Sequence, residues 1–291
     1  MHILGLCNGS IHGNSEILLK AALTAAVAYN PSITVSAVLK AILDADAVII
    51  SSPVYSHQPP ATLKELSDYI LGPYADNSGA FRNLARKEAR KPGFEDVQID
   101  PRDVKPRVAG FIAVAGSKAQ FPEQWTMALP TMHLFTYSIH AQVVDQVVIP
   151  GCSNAGAVFT DPSRTVDGAR TLGERVASQI GKPVNEVKYL GDEDKSGCPY
   201  CHLLKIEFRD GNTVQCIVCG ALGYLSAGPD GDIRPTWEQD SNISCVTLKE
   251  KWKHLDDIKM HMASERPKMT GVAKERERWR NVGMYTCCRY A

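Results

Sequence analysis

The first 180 residues predict an α/β fold with a doubly wound sheet of five parallel strands. Short runs that are apolar on both faces alternate with longer stretches of helical character, as in a sheet buried between two layers of helices. The predicted strands are 2–7, 33–38, 47–52, 108–115 and 142–149. The predicted helices are 15–29, 60–71, 123–137 and 165–180. The connection over residues 39–45 is too short for a full helix.

The composition indicates a globular protein without a strongly charged partner. The 291 residues suffice for one α/β domain and a smaller appendage, and 44% of them are hydrophobic. Lys and Arg number 32, as do Asp and Glu, so the formal charge is zero. A nucleic-acid-binding protein usually needs a basic field, so nucleic acid is not an expected partner.

The sequence predicts a cytoplasmic location. The longest apolar runs, such as 108–115, are far shorter than the roughly 20 residues that a membrane-spanning helix needs, so no membrane partner is expected. The chain opens directly with a strand pattern and lacks the features of a signal peptide. Its nine cysteines, four of them in two CxxC pairs, indicate metal chemistry in a reducing compartment.

Four segments follow from changes in composition. Residues 1–180 carry the alternating pattern, 181–197 form a polar linker, 198–228 contain the two CxxC pairs, and 229–291 form a tail with an amphipathic helical pattern. Within the first segment, residues 72–106 interrupt the alternation and are rich in glycine, proline and charge. This insertion is either a solvated surface excursion with one short helix or a loop that contacts a subunit or a nicotinamide phosphate.

The first strand leads into a loop that is suited to a phosphate. Residues 8–16 have the sequence NGSIHGNSE and precede the first helix, so backbone amides and the helix dipole point to one place. Gly9 and Gly13 permit tight turns, and Ser10, Asn14 and Ser15 add short polar side chains. The same residues would also serve as a simple helix cap.

Two further loops are expected at the same edge of the sheet. The third strand ends in SSPVYS at residues 51–56, and the fourth ends in Ala115-Gly116-Ser117. In a doubly wound sheet, ligands bind beyond the carboxyl ends of the strands, at the point where the strand order reverses. Three loops that converge there predict a binding crevice, and Tyr55 is placed to cover a planar ring.

These motifs resemble the NAD(P)H-dependent FMN reductase and iron–sulfur flavoprotein group of flavodoxin-like proteins. The resemblance lies in GSxxxNS at 9–15 and SPVYSxxxPAxLK at 52–64, and it extends over roughly residues 1–180. It implies a flavodoxin-like fold that binds FMN. The implied phosphate contacts are Ser10, His12, Asn14 and Ser15, and the implied contacts of the ribityl chain and ring are Pro53, Val54, Tyr55, Ser56, Ala115, Gly116 and Ser117.

This chain departs from the family pattern at two places. His12 stands where members of the family usually carry arginine, which reduces fixed positive charge at the phosphate. Residues 39–46 contain no cysteine, so the cluster of the iron–sulfur members is absent. No catalytic side chain is assigned. His57, His133 and His140 could approach the flavin pocket as proton donors, but a surface or packing role is the favoured prediction for each. The flavin itself carries the redox chemistry.

The resemblance implies an FMN-dependent oxidoreductase that passes electrons from NAD(P)H to a small acceptor. The acceptor classes it suggests are quinones, nitro- or azo-aromatics and free flavin. The alternative is an electron-transfer flavoprotein whose metal module docks to a protein partner. A homodimer or homotetramer is expected, since related reductases build the pocket at a subunit boundary and the tail offers apolar anchors at Trp237, Trp252 and Trp279.

The two CxxC pairs predict a metal site held by four cysteines. Cys198 and Cys201 are separated from Cys216 and Cys219 by fourteen residues, with a hairpin turn expected at Asp210-Gly211. Two such knuckles complete a tetrahedron around one ion, as in a zinc ribbon. Thiolate-only sites accept zinc or iron, and zinc with a structural role is the favoured prediction.

Overall fold

A central parallel sheet forms the larger part of the molecule. The computed structural model describes residues 1–29, 34–36, 41–71, 77–193, 196–240 and 243–280. The sheet has the order β2-β1-β3-β4-β5, and all neighbours are parallel. Its strands are β1 (His2–Cys7), β2 (Thr34–Ser36), β3 (Ala47–Pro53), β4 (Arg107–Val114) and β5 (Ala141–Ile149). The α/β class and the flavodoxin-like parallel sheet predicted from the sequence are confirmed.

The second strand, β2, covers three described residues, whereas residues 33–38 are predicted. Four strands of six to nine residues form the sheet, whereas β2 has three residues and pairs only with β1 at the edge. The predicted strand 33–38 and the connection 39–45 lie partly outside the described residues. Within the described residues, the parallel sheet thus has four full strands where the sequence predicts five. An edge strand has a single pairing neighbour to extend it, whereas β3 and β4 are buried and paired on both sides.

Helices cover both faces of the sheet. They are α1 (Asn14–Tyr29), α2 (Ala61–Leu71), α3 (Ser78–Glu88), α4 (Ala128–Ile139) and α5 (Pro162–Gln179). One apolar core joins α1 and α5 to the sheet, and a second joins α4 to its other face. The predicted helix 123–137 is divided, because a 3-10 helix at Pro122–Trp125 precedes α4.

The glycines of α5 show how closely the first helix layer is packed. A β-carbon at Gly173 would lie 2.0 Å from the carbonyl oxygen of Ala22, so α1 and α5 approach each other backbone to backbone. A β-carbon at Gly168, one and a half turns earlier in the same helix, would meet no atom within 4 Å. Only the first position needs glycine for packing.

The second sheet is antiparallel and contains the cysteines. Its strands are β6 (Ile206–Phe208), β7 (Thr213–Cys216), β8 (Leu222–Ala227) and β9 (Ile233–Trp237), in sequential order. We call residues 198–237 the cysteine module. The predicted hairpin is β6–β7, but β9 falls within the segment predicted as a helical tail. A β-carbon at Gly223 would lie 2.7 Å from the oxygen of Thr236, so glycine lets β9 pair closely with β8.

Helices α6 (Leu248–Glu265) and α7 (Ala273–Arg280) end the described chain. The first half of α6 is held against α3 by two contacts. Arg82 makes a bidentate ion pair with Asp256, with N–O distances of 2.6 and 2.7 Å, and Trp252 donates its indole N–H to the carbonyl oxygen of Ser78. The insertion therefore supports α6. Trp237 also packs within the chain, whereas Trp279 is 68% exposed. The homo-oligomer stays a prediction.

Among the described residues, no helix combines the length and the apolar character that crossing a membrane would require.

Candidate functional site

A cavity of about 400 Å³ opens beyond the carboxyl ends of the central strands. We call it the main cavity. Loops that follow β1, β3, β4 and β5 surround it, in agreement with the general position of ligands in doubly wound sheets. The residues that line it are Gly9, Ser10, Gly13, Asn14, Ser15, Pro53, Val54, Tyr55, Ser56, His57, Val114, Ala115, Gly116, Ser117, Gln124, Cys152, Ser153 and Ala155.

The loop after β1 needs its glycines. A β-carbon at Gly9 would lie 3.0 Å from the β-carbon of Ser15, and one at Gly13 would lie 2.9 Å from the oxygen of Ser10. The amide of Gly13 donates to that same oxygen at 2.9 Å, which closes a turn immediately before α1. The helix N-terminus therefore faces the cavity with backbone in close approach, an arrangement that suits an anion.

Asn14 lines the cavity but its side chain has a structural task. It is 9% exposed, and its amide nitrogen donates to the carbonyl oxygens of Cys152 and Asn154 at 3.0 and 2.8 Å. These bonds attach the loop after β5 to the start of α1. Asn14 thus holds two walls of the cavity together. Its side-chain N–H groups are used in this way, so the polar side chains of this loop that remain for a ligand are those of Ser10 and Ser15.

His12 is the one predicted contact that does not line the main cavity. It is exposed and has a φ of 61°. Its backbone N–H donates to a carboxylate oxygen of Glu16 at 2.6 Å, and Glu16 also pairs with Lys20. The hydrogen bond from Lys20, followed by that from His12, lowers the pKa of Glu16. A negative charge therefore lies one turn into α1, beside the loop predicted to hold phosphate.

The loop after β3 forms a tight turn at the mouth of the cavity. Tyr55 and Gln58 exchange backbone hydrogen bonds of 2.8 and 3.2 Å, and the two residues between them have positive φ values, 47° for Ser56 and 73° for His57. The ring of Tyr55 is 58% exposed. This loop presents an aromatic face to the opening, as the sequence predicts.

Several residues that line the main cavity were not predicted from the sequence. His57 was not assigned to the site, and Val114, Gln124, Cys152, Ser153 and Ala155 were not considered. A signal for the last three was present, since β5 is followed by a Pro-Gly-Cys-Ser-Asn loop on the same edge as the other strands.

The other two histidines named in the sequence analysis lie away from the main cavity: His133 and His140 are 1% and 5% exposed. Burial lowers the pKa of His133 to about 4, and burial next to the charge of Lys251 lowers that of His140 to about 3.

The four cysteines of the two CxxC pairs converge as predicted. Their sulfur atoms all lie within 4.8 Å of one another, and Sγ–Sγ distances of 3.4 Å join Cys198 to Cys219 and 3.5 Å join Cys201 to Cys216. A tetrahedron with Zn–S bonds of about 2.3 Å has edges of about 3.8 Å, so the cluster has the size of a four-thiolate site. Hydrogen bonds within the cluster lower the pKa values of Cys216 and Cys219 and raise those of Cys198 and Cys201, so two of the thiols donate to the other two. A metal ion would hold all four as thiolates.

The cysteine module is attached to the central sheet through buried hydrogen bonds. Gln146 in β5 accepts from His133 at 2.8 Å and donates to the carbonyl oxygen of Cys201 at 2.8 Å. The hydroxyl of Tyr137 in α4 donates to the oxygen of Val218 at 2.6 Å. The segment 181–197 also packs on the sheet, since Leu190 donates its amide to the oxygen of Val144. The module therefore contacts α4 and β5 themselves, whereas the main cavity is lined by residues that precede α4 and follow β5.

Comparison with known proteins agrees with this architecture. Residues 25–150 match the model of the NADPH-dependent FMN reductase family. A curated relative, flavone synthase cfoJ of Aspergillus candidus, is 27% identical over 306 aligned positions that cover 91% of each chain. The solved structure of a flavone reductase covers 99% of this chain and 100% of its own, with a TM-score of 0.79 and 22% identity. An archaeal flavodoxin matches 62% of the chain with a TM-score of 0.41 and 11% identity.

The flavone reductase structure shows that the fold of this chain, with its C-terminal part included, occurs in another protein. The family match adds that residues 25–150, which contain β2 to β5, resemble the NADPH-dependent FMN reductases in sequence. The resemblance to the NADPH-dependent FMN reductases is thereby confirmed, and it supports a flavin-dependent oxidoreductase.

Proposed function

We propose that this protein is an FMN-dependent oxidoreductase that passes electrons from NAD(P)H to a small planar aromatic acceptor. The observation that carries the proposal is the main cavity, where four loops meet at the carboxyl edge of a parallel sheet around glycines that admit no side chain. Its volume lies in the range of small-molecule sites. The family match to FMN reductases supports the choice of cofactor.

The residues present fit FMN. The turn closed by Gly13 and the N-terminus of α1 suit its phosphate, together with the hydroxyls of Ser10 and Ser15. Pro53 to Ser56 on one side and Ala115 to Ser117 on the other would hold the ribityl chain and the ring. Bound FMN supplies hydride and electron transfer, while the protein binds and orients the reactants.

The exposed aromatic residue at the mouth of the cavity and the names of the relatives support the proposed acceptor class. Tyr55 exposes more than half of its surface beside small residues, which suits the face of a flat ring. The curated relative and the similar solved structure are named for flavone chemistry. We therefore propose flavone-like compounds as acceptors in addition to quinones, nitro- or azo-aromatics and free flavin.

We also propose that Cys198, Cys201, Cys216 and Cys219 hold one structural zinc ion. All four are at most 1% exposed, and their spacing fits a tetrahedral thiolate site. The alternative, an electron-transfer flavoprotein whose metal module docks to a partner, has less support. The cysteines face inward among Val218, Ala221 and one another, and they offer little surface to a partner.

The experiment that tests this proposal is reconstitution of the purified protein with FMN and with FAD. The expected outcome is a yellow protein that releases FMN and oxidises NADPH or NADH with flavone or menadione, without any protein partner. A colourless protein that fails to bind added FMN would contradict the cofactor assignment. Turnover only after a redox protein is added would favour the electron-transfer alternative.

A further inference from the structure

The turn at the mouth of the main cavity has an unfavourable sequence for its shape. Reciprocal backbone bonds between Tyr55 and Gln58 enclose two residues that both have positive φ. This is the geometry of a type I′ hairpin turn, for which Asn-Gly is strongly preferred. The chain has Ser56 and His57 there instead.

Residues with a β-carbon are disfavoured in the left-handed region of φ. His57 occupies the second central position of the turn, where glycine would avoid this strain. Residues held in such conformations cluster at functional sites, where the surrounding structure maintains them. His57 lines the main cavity, and both nitrogens of its imidazole ring can form hydrogen bonds.

The imidazole is fixed in both orientation and tautomer. Its Nδ1 lies 2.7 Å from the carbonyl oxygen of Glu123, which can only accept, so Nδ1 carries the proton and donates. The carbonyl oxygen of His57 accepts the amide of Met127 at 3.1 Å. Ring and backbone are thus both tied to the segment that precedes α4. In the neutral ring, Nε2 is left with a lone pair and acts as a hydrogen-bond acceptor.

We propose that His57 is an acceptor-binding residue that selects planar phenols. Its Nε2 receives a hydrogen bond from a hydroxyl group of the acceptor, beside the exposed ring of Tyr55. This deepens the proposed function and rests on it. The role is recognition: the contact orients the acceptor in the cavity, and no proton or electron passes through the ring.

The test measures binding to the FMN-loaded, oxidised protein from the change in the flavin absorption spectrum. The ligands are chrysin, a flavone with two hydroxyl groups, and unsubstituted flavone, which has none. The variants are His57→Gly and His57→Asn, both of which suit a left-handed backbone. We expect the Kd of chrysin to rise roughly tenfold in both, the size of one lost hydrogen bond. The Kd of flavone and that of FMN should change less than twofold.

A matched control separates recognition from relief of backbone strain. Arg90 also has a positive φ, 50°, and it is exposed and does not line the main cavity. Arg90→Gly relieves the same kind of strain, so its thermal midpoint should not fall, while all three dissociation constants stay at the wild-type values.

Two results would overturn the inference. In one, wild-type protein binds chrysin no more tightly than flavone; in the other, chrysin binds His57→Gly and His57→Asn as tightly as wild type. Failure of the proposed function would be seen separately, in the wild type alone. Protein that binds no FMN, or that reduces ferricyanide with neither NADPH nor NADH, removes the proposed function and this inference with it.

Discussion

The main cavity and the cysteine module differ in the size of the apolar core that supports them. The cavity is formed by loops on a sheet whose two faces are covered by large apolar clusters, so its walls are held by a core that lies beneath them. The buried cluster of the module has six members, and four of them are the cysteines themselves. We therefore expect the first region to form before any ligand binds, and the second to need the proposed metal ion because its own core is small.

The largest expected effect is on the module. Cys216→Ser removes one of the four proposed ligands, and metal binding to such sites supplies on the order of 10 kcal/mol of folding free energy. We expect metal content to fall from one ion per chain to none, with protease cleavage within 198–237. Because the cavity loops rest on their own core, FMN should remain bound. Elemental analysis and the flavin spectrum measure the two outcomes.

Cys245→Ser is the matched control. The amide of Cys245 donates to the oxygen of Cys219 at 2.7 Å, but its sulfur is not part of the four-sulfur cluster. Metal content should therefore stay at one ion. Loss of FMN together with the metal in Cys216→Ser would show that both regions unfold as one unit. A red, iron-containing protein would favour the electron-relay alternative.

The second prediction concerns the core beneath the cavity. Gly173→Ala places a β-carbon 2.0 Å from a backbone oxygen of α1, and a helix backbone cannot yield locally. We expect a loss of about 3 kcal/mol in the free energy of unfolding. Gly168→Ala in the same helix meets open space and should stabilise by about 0.5–1 kcal/mol. Urea unfolding measures both, and equal effects at the two positions would refute the close packing of α1 and α5.

The sequence predicted the first region well because its rules are local. Parallel strands appear as continuous apolar runs, and the switch-point rule places the ends of β1, β3 and β4 at one edge. Ten of the eleven predicted FMN contacts line the main cavity, and His12 is the exception. Whether these residues bind FMN stays a prediction.

The remaining features depend on contacts that are distant in sequence. The amide of Asn14 is used by carbonyl groups 138 and 140 residues away, and the ring of His57 is fixed by a carbonyl 66 residues away. Gly223 permits the close pairing of β9 with β8, which no periodicity in the tail reveals. The attachment of the module through Gln146 could likewise not be predicted, since a polar residue in a strand does not identify its partner.

The third prediction tests the contact between α4, to which the module is attached, and α6, which follows the module. His140 ends α4 with a φ of 51° and receives a hydrogen bond from Lys251 of α6 at its Nδ1, at 2.9 Å. Burial, and then the charge of Lys251, lowers the pKa of His140 to about 3. Between that value and the unfolded value near 6.5, the unfolded chain binds more protons, so stability is complete above pH 6.5 and falls as the pH falls.

From pH 7 to pH 5 this titration should cost about 2 kcal/mol. His140→Asn tolerates the left-handed backbone, keeps an acceptor for Lys251 and does not titrate. The wild type should therefore lose about 2 kcal/mol more than this variant over the same interval, measured by urea unfolding at each pH. Parallel curves for the two proteins would show that His140 is accessible to protons in the folded state.

The smallest expected effect concerns the loop proposed to hold the FMN phosphate. Glu16 accepts the amide of His12 and pairs with Lys20, and its lowered pKa keeps it charged at neutral pH. That negative charge opposes a phosphate bound at the start of α1. Glu16→Gln keeps an oxygen for the amide of His12 but removes the charge and frees the ammonium group of Lys20. The Kd of FMN should fall about threefold at low ionic strength, and less at high ionic strength, where salt screens exposed charges.

Riboflavin has the same ring and no phosphate, so its Kd should not change. Flavin fluorescence titrations give both constants. An equal change for FMN and riboflavin would place the effect on the ring or the loop backbone, and the phosphate would then have to lie elsewhere in the cavity.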